Sequence, residues 1–214
     1  IRSAADRRGK GLKWSINIGL SVAVDALVLF ALAVVAVLAY VSPPEDDISP
    51  CDYPSEFFCI NVENRIDRQT DGQCAAYAAA YLLRHFGENV NGEELTSEIR
   101  RTFGFISAGS IAAAFVRRGY WAKPYCGNVD TLKQQLANGD PILVFVRIPG
   151  DTHYAVVVGY DKQFIYLADS LEENSGTSDA RYNRMLTTED FKTIWKTGGL
   201  LPDNIYIVVR TAGE

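Results

Sequence analysis

The sequence predicts an α+β domain preceded by one transmembrane helix, and three patterns lead to this prediction. Residues 14–41 are almost entirely apolar, and a helix of that length spans roughly 40 Å, enough for a tilted bilayer crossing. Helical patterns fill the first half of the chain that follows, whereas β-branched and aromatic runs dominate its second half. Helices first and strands later favour a helix packed on an antiparallel sheet.

Charges around the apolar segment predict its orientation. Positions 1–13 hold five lysines and arginines against one aspartate. The positive-inside rule therefore makes them a basic cytoplasmic tail, and residues 42–63 become an extracytoplasmic stalk. The apolar stretch is too long for the core of a cleaved signal peptide, and no A-x-A-like site follows it. These features favour an uncleaved signal anchor.

Polar residues interrupt the apolar segment at helical spacing. Asn17, Ser21 and Asp25 stand four residues apart, so they share one face of a helix. An ionisable group at membrane depth is costly unless it is protonated, lies near the interface or meets a partner. We expect this stripe to mediate self-association or contact with another membrane protein.

Cys74 is the candidate nucleophile. It stands where a loop, 68–73, enters an alanine-rich helical stretch, 74–83. The N-terminus of a helix presents free N–H groups and a positive dipole end, which favour the nucleophilic thiolate. The alternative is a small buried hydrophobic residue, the usual role of a lone cysteine. Its first-turn position, and Gly72 before it, favour the catalytic interpretation.

His153 and Asp169 are the candidate partners of this thiol. A hairpin centred near Asp161 places them opposite each other within one register step, with Cβ atoms about 5 Å apart. The carboxylate would then orient the imidazole as a base, which completes a nucleophile–base–orienter triad. An unrelated surface histidine and strand-end aspartate are the alternative. The other histidine, His85, lies roughly 16 Å along the helix from Cys74 and is interpreted as a helix-end residue.

Other elements follow from periodicity and from capping or turn residues. Loops 103–109 and 171–184 are expected to border the cleft in which Cys74 would act. Predicted helices cover 92–100, 110–118, 129–136 and 189–195, and predicted strands cover 141–147, 154–160, 163–169 and 205–210.

Three blocks of sequence resemble a known family. QTDGQCAAYAAAYLLRHFG, GDPILVFVRIPGDTHYAVVVGYD and IYLADS are similar to the bacteriocin-processing (double-glycine) peptidases and their papain-like relatives. The similarity runs over roughly residues 64–210. It implies a papain-like cysteine peptidase domain over 64–214, with a nucleophile helix packed on an antiparallel sheet.

The resemblance also implies a role for each candidate residue. It makes Cys74 the nucleophile, His153 the general base, Asp169 the orienting carboxylate and Gln69 the oxyanion donor. The spacing between glutamine and cysteine is one residue shorter than the family pattern, so Gln73 remains an alternative donor. Ala75 follows the cysteine, where relatives often carry glycine.

The function implied is a membrane-anchored cysteine peptidase that cleaves a peptide or protein amide bond on the extracytoplasmic side. Two alternatives stay open. One is an inactive papain-like ectodomain that binds peptides or serves as an accessory subunit of a membrane complex. The other is an acyl-transferring enzyme with the same triad. Exporter-linked double-glycine peptidases work on the cytoplasmic side, so leader removal before export is not expected here.

The remaining cysteines and the charge narrow the possible partners. Cys51 and Cys59 could form a disulfide in an oxidising compartment or stay free, and Cys126 is expected to be a structural or free thiol. The chain has two histidines and no C-x-x-C pair, so no metal or other cofactor is expected. The net charge is −5, and −9 beyond residue 13, which argues against a nucleic-acid partner.

Overall fold

A computed structural model describes most of the chain: residues 21–38, 42–49, 51–59, 64–69, 72–99, 101, 105–171, 181–198 and 202–213. The chain divides into two compact units, Ile1–Ser42 and Pro43–Glu214.

In the described part of the first unit, residues 21–38 form a helix, α1 (Ser21–Leu38). Its 18 residues have a mean hydropathy of 2.7 and none is buried, so the helix is long and apolar enough to cross a membrane. Ser21 and Asp25 lie on it and are exposed. Asn17, the predicted tail and the ends of the predicted span, 14–20 and 39–41, lie outside the described residues.

The second unit is built on an antiparallel sheet, as predicted. Its strands follow the order β2-β7-β3-β4-β5-β6, and β1 also pairs with β4. Every pairing among the described strands is antiparallel. The strands are β1 (Phe57–Phe58), β2 (Trp121–Cys126), β3 (Ile142–Ile148), β4 (Asp151–Tyr160), β5 (Phe164–Ala168), β6 (Arg184–Thr187) and β7 (Ile205–Arg210).

Helices cover both faces of this sheet, which explains the nearly continuous apolar runs of β3 and β4. They are α2 (Cys74–His85), α3 (Gly92–Leu95), α4 (Ala108–Arg117), α5 (Val129–Leu136) and α6 (Thr188–Trp195). Alternate residues of β4 enter two separate cores. Val156 and Val158 join the core that holds α2 and α4, whereas Ala155 and Val157 join the core that holds α5 and α6.

The alanines of α2 explain how closely the helix lies on the sheet. Ala75, Ala76, Ala78, Ala79 and Ala80 are all at most 5% exposed, and α2 contacts β4. A methyl side chain lets two backbones approach at little cost in side-chain entropy. The predicted packing of the cysteine-bearing helix on an antiparallel sheet is confirmed.

Most predicted elements agree with the structure, and the differences have local causes. α5 and β7 have the predicted bounds. α3 is shorter than predicted: a capping box between Asn91 and Glu94 starts it at Gly92, and it ends at Leu95. β4 begins at Asp151 and not at 154.

Three strands were not predicted: β1, β2 and β6. The last two lie at the ends of the strand order, where the apolar pattern is weak. β2 even contains Pro124, a residue that sheets tolerate on edge strands. Because these strands depend on long-range pairing, their sequences alone do not indicate them.

The segment predicted to be a stalk packs on the domain in the structure. β1 pairs with β4, and the Cys59 N–H donates to the Val158 carbonyl at 2.8 Å. The Tyr160 hydroxyl donates to the Pro54 carbonyl at 3.0 Å. We call described residues 43–59 the strap, because they run along the domain instead of standing free of it.

Of the alternatives left open for Cys51, Cys59 and Cys126, the structure has the free thiol at each position. Cys51 is exposed, whereas Cys59 and Cys126 are buried. Burial raises the pKa of Cys126 to about 11, and the carboxylates of Glu45 and Asp203 add to this effect. These two buried thiols are therefore poor nucleophiles at neutral pH.

Candidate active site

Cys74 is the first residue of α2 and is half-buried. Gly72, two residues earlier, has a φ of 71°, a left-handed conformation that glycine adopts without strain. This turn directs the loop into the helix. The carbonyl of Gln73 accepts from the N–H groups of Ala76 and Tyr77 at 3.0 and 3.2 Å, so the helical ladder starts immediately beyond the thiol.

His153 and Asp169 form a short buried contact. His153 Nε2 lies 2.7 Å from Asp169 Oδ1, and each residue is 1% exposed. With Nε2 engaged, Nδ1 is the ring atom left for another partner, and Cys74 lies close enough to the imidazole to raise its pKa. The three residues singled out in the sequence thus come together around one imidazole.

The register that brings His153 and Asp169 together differs from the predicted one. β4 and β5 pair Val157 with Leu167 and Val156 with Ala168, so Asp169 would continue opposite residue 155. The loop after Tyr160 is longer than the predicted two-residue turn, and a bulge follows Val157. The predicted direct opposition is wrong by two residues. A two-residue offset keeps the same face of the sheet and stays within side-chain reach.

Several groups hold the Asp169 carboxylate in addition to His153. Oδ1 also accepts from the Leu171 N–H at 3.0 Å, and Oδ2 accepts from Arg184 Nη1 at 2.9 Å. Asn183 brackets the backbone: its Oδ1 accepts from the Asp169 N–H at 2.8 Å, and its amide donates to the Asp169 carbonyl at 2.7 Å.

These contacts move the pKa values of the pair apart. Burial alone would lower the pKa of His153, but hydrogen bonds to Asp169 and Cys74, with the charges of both, raise it to about 9. Burial alone would raise the pKa of Asp169, but the hydrogen bond and charge of His153, the Leu171 N–H and Arg184 hold it below its usual value. An imidazolium–carboxylate pair is therefore the stable state at neutral pH.

The two candidate glutamines point to different neighbours. Gln69 Oε1 accepts from the Ser170 hydroxyl at 2.6 Å, and the Gln69 N–H donates to the Ser170 carbonyl at 3.0 Å. Gln69 is therefore fastened to the residue that follows Asp169. Gln73 Oε1 instead accepts from the Thr96 hydroxyl at 3.2 Å, beyond the end of α3.

One of the two predicted cleft loops is fastened close to the site. Tyr154 follows His153 in β4, is 4% exposed, and donates its hydroxyl to the Ile106 carbonyl at 3.1 Å. This bond ties the loop before α4 to the strand that carries the histidine. The other loop is described at 171 and from 181 to 184, and the stretch between lies outside the described residues.

Sequence reasoning missed Ser170, Asn183 and Arg184. Each acts on Asp169 or Gln69 through pairing between distant segments, so no local motif marks it. His85 is at the end of α2 as predicted, with Nε2 3.4 Å from Asp140 Oδ1. Within the described residues, no group of three or more histidines, cysteines and acidic residues is arranged to hold a metal ion.

Comparison with known proteins agrees with this architecture. The model of the peptidase C39-like family matches residues 60–199. Comparison with curated proteins finds no match.

Solved structures share the fold. The peptidase domain of Streptococcus ComA, a bi-functional ABC transporter, matches at 17% identity and a TM-score of 0.55, over 70% of this chain and 100% of that one. A C39-like peptidase from Bacillus anthracis matches at 16% identity and a TM-score of 0.57, over 73% and 98%. A double-glycine-motif protease from an AMS/PCAT transporter, in complex with a leader peptide, matches at 16% identity and a TM-score of 0.51, over 70% and 95%. Since the family model covers more than half of the residues, the chain belongs to the peptidase C39-like family of cysteine peptidases.

Proposed function

We propose that the chain is a membrane-anchored cysteine peptidase that cleaves a peptide or protein amide bond on the extracytoplasmic side. The imidazole of His153 carries the proposal: its Nε2 lies 2.7 Å from Asp169 Oδ1, and Cys74 lies close enough to raise the pKa of the ring. A nucleophile, a base and an orienting carboxylate in this order are the arrangement used for covalent catalysis at acyl carbons.

The proposed reaction proceeds through a thioester. Sγ of the Cys74 thiolate attacks the carbonyl carbon while His153 holds the thiol proton, which gives a tetrahedral oxyanion. The oxyanion collapses, the C–N bond breaks, and the imidazolium gives its proton to the leaving amine. Neutral His153 then takes a proton from water, which attacks the thioester and releases the acid and the thiol.

We propose Gln69, together with the Cys74 N–H, as the donor to the oxyanion. The Ser170 hydroxyl occupies Gln69 Oε1, so the side chain is fastened by its oxygen and turns its NH₂ group to other partners. A donor that is held before reaction stabilises developing charge without reorganisation. Gln73 is the alternative donor, since its Oε1 likewise accepts from a hydroxyl, that of Thr96. We prefer Gln69 because its partner, Ser170, directly follows Asp169.

Substrate class and membrane attachment rest on separate observations. A structurally similar protease was solved with a leader peptide, which supports a peptide substrate. α1 supports anchoring by its length and hydropathy. The basic residues among the first 13 positions support an outward-facing domain over 64–214, with the anchor over 14–41.

The proposal is tested by the reactivity of Cys74. In a Cys51→Ser background, which removes the exposed thiol, we expect iodoacetamide to modify Cys74 rapidly at about pH 6, where ordinary thiols are mostly protonated. The readout is the intact mass of the full chain in detergent micelles. His153→Ala and Asp169→Ala should slow the reaction, and the same variants should lose hydrolysis of quenched-fluorescent peptides that carry a double-glycine motif.

Two control variants accompany this measurement. Cys74→Ala should give no adduct, and His85→Ala, which removes the other histidine, should react like the parent. If Cys74 reacts only at alkaline pH, and neither His153→Ala nor Asp169→Ala changes its rate of modification, the enzyme proposal is wrong. The domain would then be pursued as a peptide-binding or accessory subunit of a membrane complex.

A further inference from the structure

A basic residue that the proposed mechanism does not use lies behind Asp169. Arg184 Nη1 is 2.9 Å from Asp169 Oδ2. The Arg184 side chain is 15% exposed and the Asp169 side chain is fully buried. His153 meets the other oxygen of the same carboxylate, so the carboxylate lies between two cationic side chains.

The fold places Arg184 there by strand pairing. Arg184 is the first residue of β6 and pairs with Leu167 of β5, two residues before Asp169. The N–H of Asn183 donates to the Leu167 carbonyl at 3.1 Å, and its side chain brackets the backbone of Asp169. Both the backbone and the side chain of Asp169 are therefore fixed by residues 183 and 184.

The contact between Arg184 and Asp169 affects the net charge of the proposed site. In the reactive state, Cys74, His153, Asp169 and Arg184 alternate as thiolate, imidazolium, carboxylate and guanidinium, and their charges sum to zero. Without Arg184, the three remaining groups carry a net negative charge in a buried setting, which is costly. A carboxylate without its guanidinium also attracts the imidazolium proton more strongly.

We propose that Arg184 is a positioning residue of this site, which acts on His153 through Asp169 by offsetting part of the charge of that carboxylate. This inference rests on the proposed function. By weakening the hold of Asp169 on the imidazolium, Arg184 eases proton transfer to the leaving amine. Among the described residues, the charged groups that face His153 are Cys74 from α2 and Asp169 after β5. In the same part of the chain, those that face Asp169 are His153 from β4 and Arg184 from β6.

Nuclear magnetic resonance tests this role without any substrate. The chain has only two histidines, so the imidazole signals of the full chain in micelles are assigned with a His85→Gln variant. The titration midpoint of His153 is then compared in the parent, Arg184→Gln and Arg184→Lys. Arg117→Gln is the matched control, because Arg117 donates to the Glu98 carbonyl from α4.

Loss of the guanidinium should raise the His153 midpoint by roughly one pH unit. Arg184→Lys should restore most of the parent value, and Arg117→Gln should leave it unchanged. An unchanged midpoint in Arg184→Gln, or one that falls towards the ordinary histidine value, would overturn the proposal, since a purely structural arginine predicts one of these. Peptide hydrolysis by the parent is measured separately, so failure of the peptidase proposal is distinguished from failure of this one.

Discussion

At the level of single residues, the buried pair of His153 and Asp169 is the centre of the proposed chemistry. A buried ion pair survives only when hydrogen bonds satisfy its remaining polar atoms. Here the Leu171 N–H and Arg184 satisfy Asp169, and Cys74 lies close enough to the imidazole to raise its pKa. In the proposed mechanism, the contacts that stabilise the pair also prepare it for proton transfer.

The first prediction concerns stability against pH. Since the folded pKa of His153 is about 9 and its unfolded value is about 6.5, its stabilising effect is complete below the unfolded value. It is lost as the pH rises through about 9. The lowered pKa of Asp169 adds stability that is present above about pH 4 and lost in stronger acid. The pair therefore stabilises the fold most between about pH 4 and 6.5.

Unfolding of the full chain in micelles measures this effect. The free energy of unfolding of the parent should exceed that of His153→Gln by up to about 3 kcal/mol more at pH about 6 than at pH about 10. Gly109→Ala, which changes no titratable group, serves as the control and should show a pH-independent difference. A constant difference for His153→Gln across this range would mean that the ion pair does not form.

At the level of secondary structure, the strap lies against β4 directly beside the bulge in that strand. Gly159 follows the bulge and pairs with Phe58 of β1. A Cβ at Gly159 would lie 2.4 Å from Phe58 Cδ1 and 2.8 Å from the Phe57 carbonyl oxygen. The absence of a side chain at this position is what lets the strap lie on the sheet.

The second prediction follows from this close approach. Gly159→Ala should destabilise the domain by roughly 1–3 kcal/mol, because the strap must move away from β4. Amide hydrogen exchange of Cys59 should accelerate more than that of β3. Gly109→Ala is the matched control: a Cβ there meets nothing nearer than Ser107 Oγ at 3.8 Å, so α4 should tolerate it. Equal stability of the two variants would contradict the packing of the strap.

At the level of the whole molecule, the proposed membrane anchor and orientation are tested by the accessibility of single thiols. Cys51 on the strap is an exposed thiol, whereas Cys59 and Cys126 are buried. In a Cys74→Ala variant, an impermeant maleimide added to intact cells should therefore label the chain through Cys51, if the domain faces outward.

The matched control places the reactive thiol on the other side of the proposed anchor. Ser3→Cys in a Cys51→Ser, Cys74→Ala background places one reactive thiol in the basic tail, and labelling should require permeabilised cells. Labelling of Ser3→Cys in intact cells, with Cys51 protected, would place the domain in the cytoplasm and overturn the proposed orientation. The domain would then face the same side of the membrane as the exporter-linked peptidases.

Local sequence was sufficient for the elements that carry the chemistry. The alanine-rich segment after Cys74 indicates a helix of small buried residues, and the runs around His153 and Asp169 indicate neighbouring strands. These patterns depend on periodicity and on turn residues a few positions apart. The antiparallel sheet, the helix that carries the cysteine and the grouping of the three candidate residues could therefore be predicted.

Only the tertiary structure decided the rest, because it depends on contacts between distant segments. A loop longer than two residues and a bulge shifted the register of Asp169 by two residues, which no short pattern around Asp161 reveals. Arg184, Asn183 and Ser170 acquire their roles when β6 joins β5 and the loop before α2 reaches Ser170. The sequence by itself determined which side chains can react. Long-range pairing determined how they are held, since hydrogen-bond partners of a buried carboxylate are chosen by topology and not by proximity in the chain.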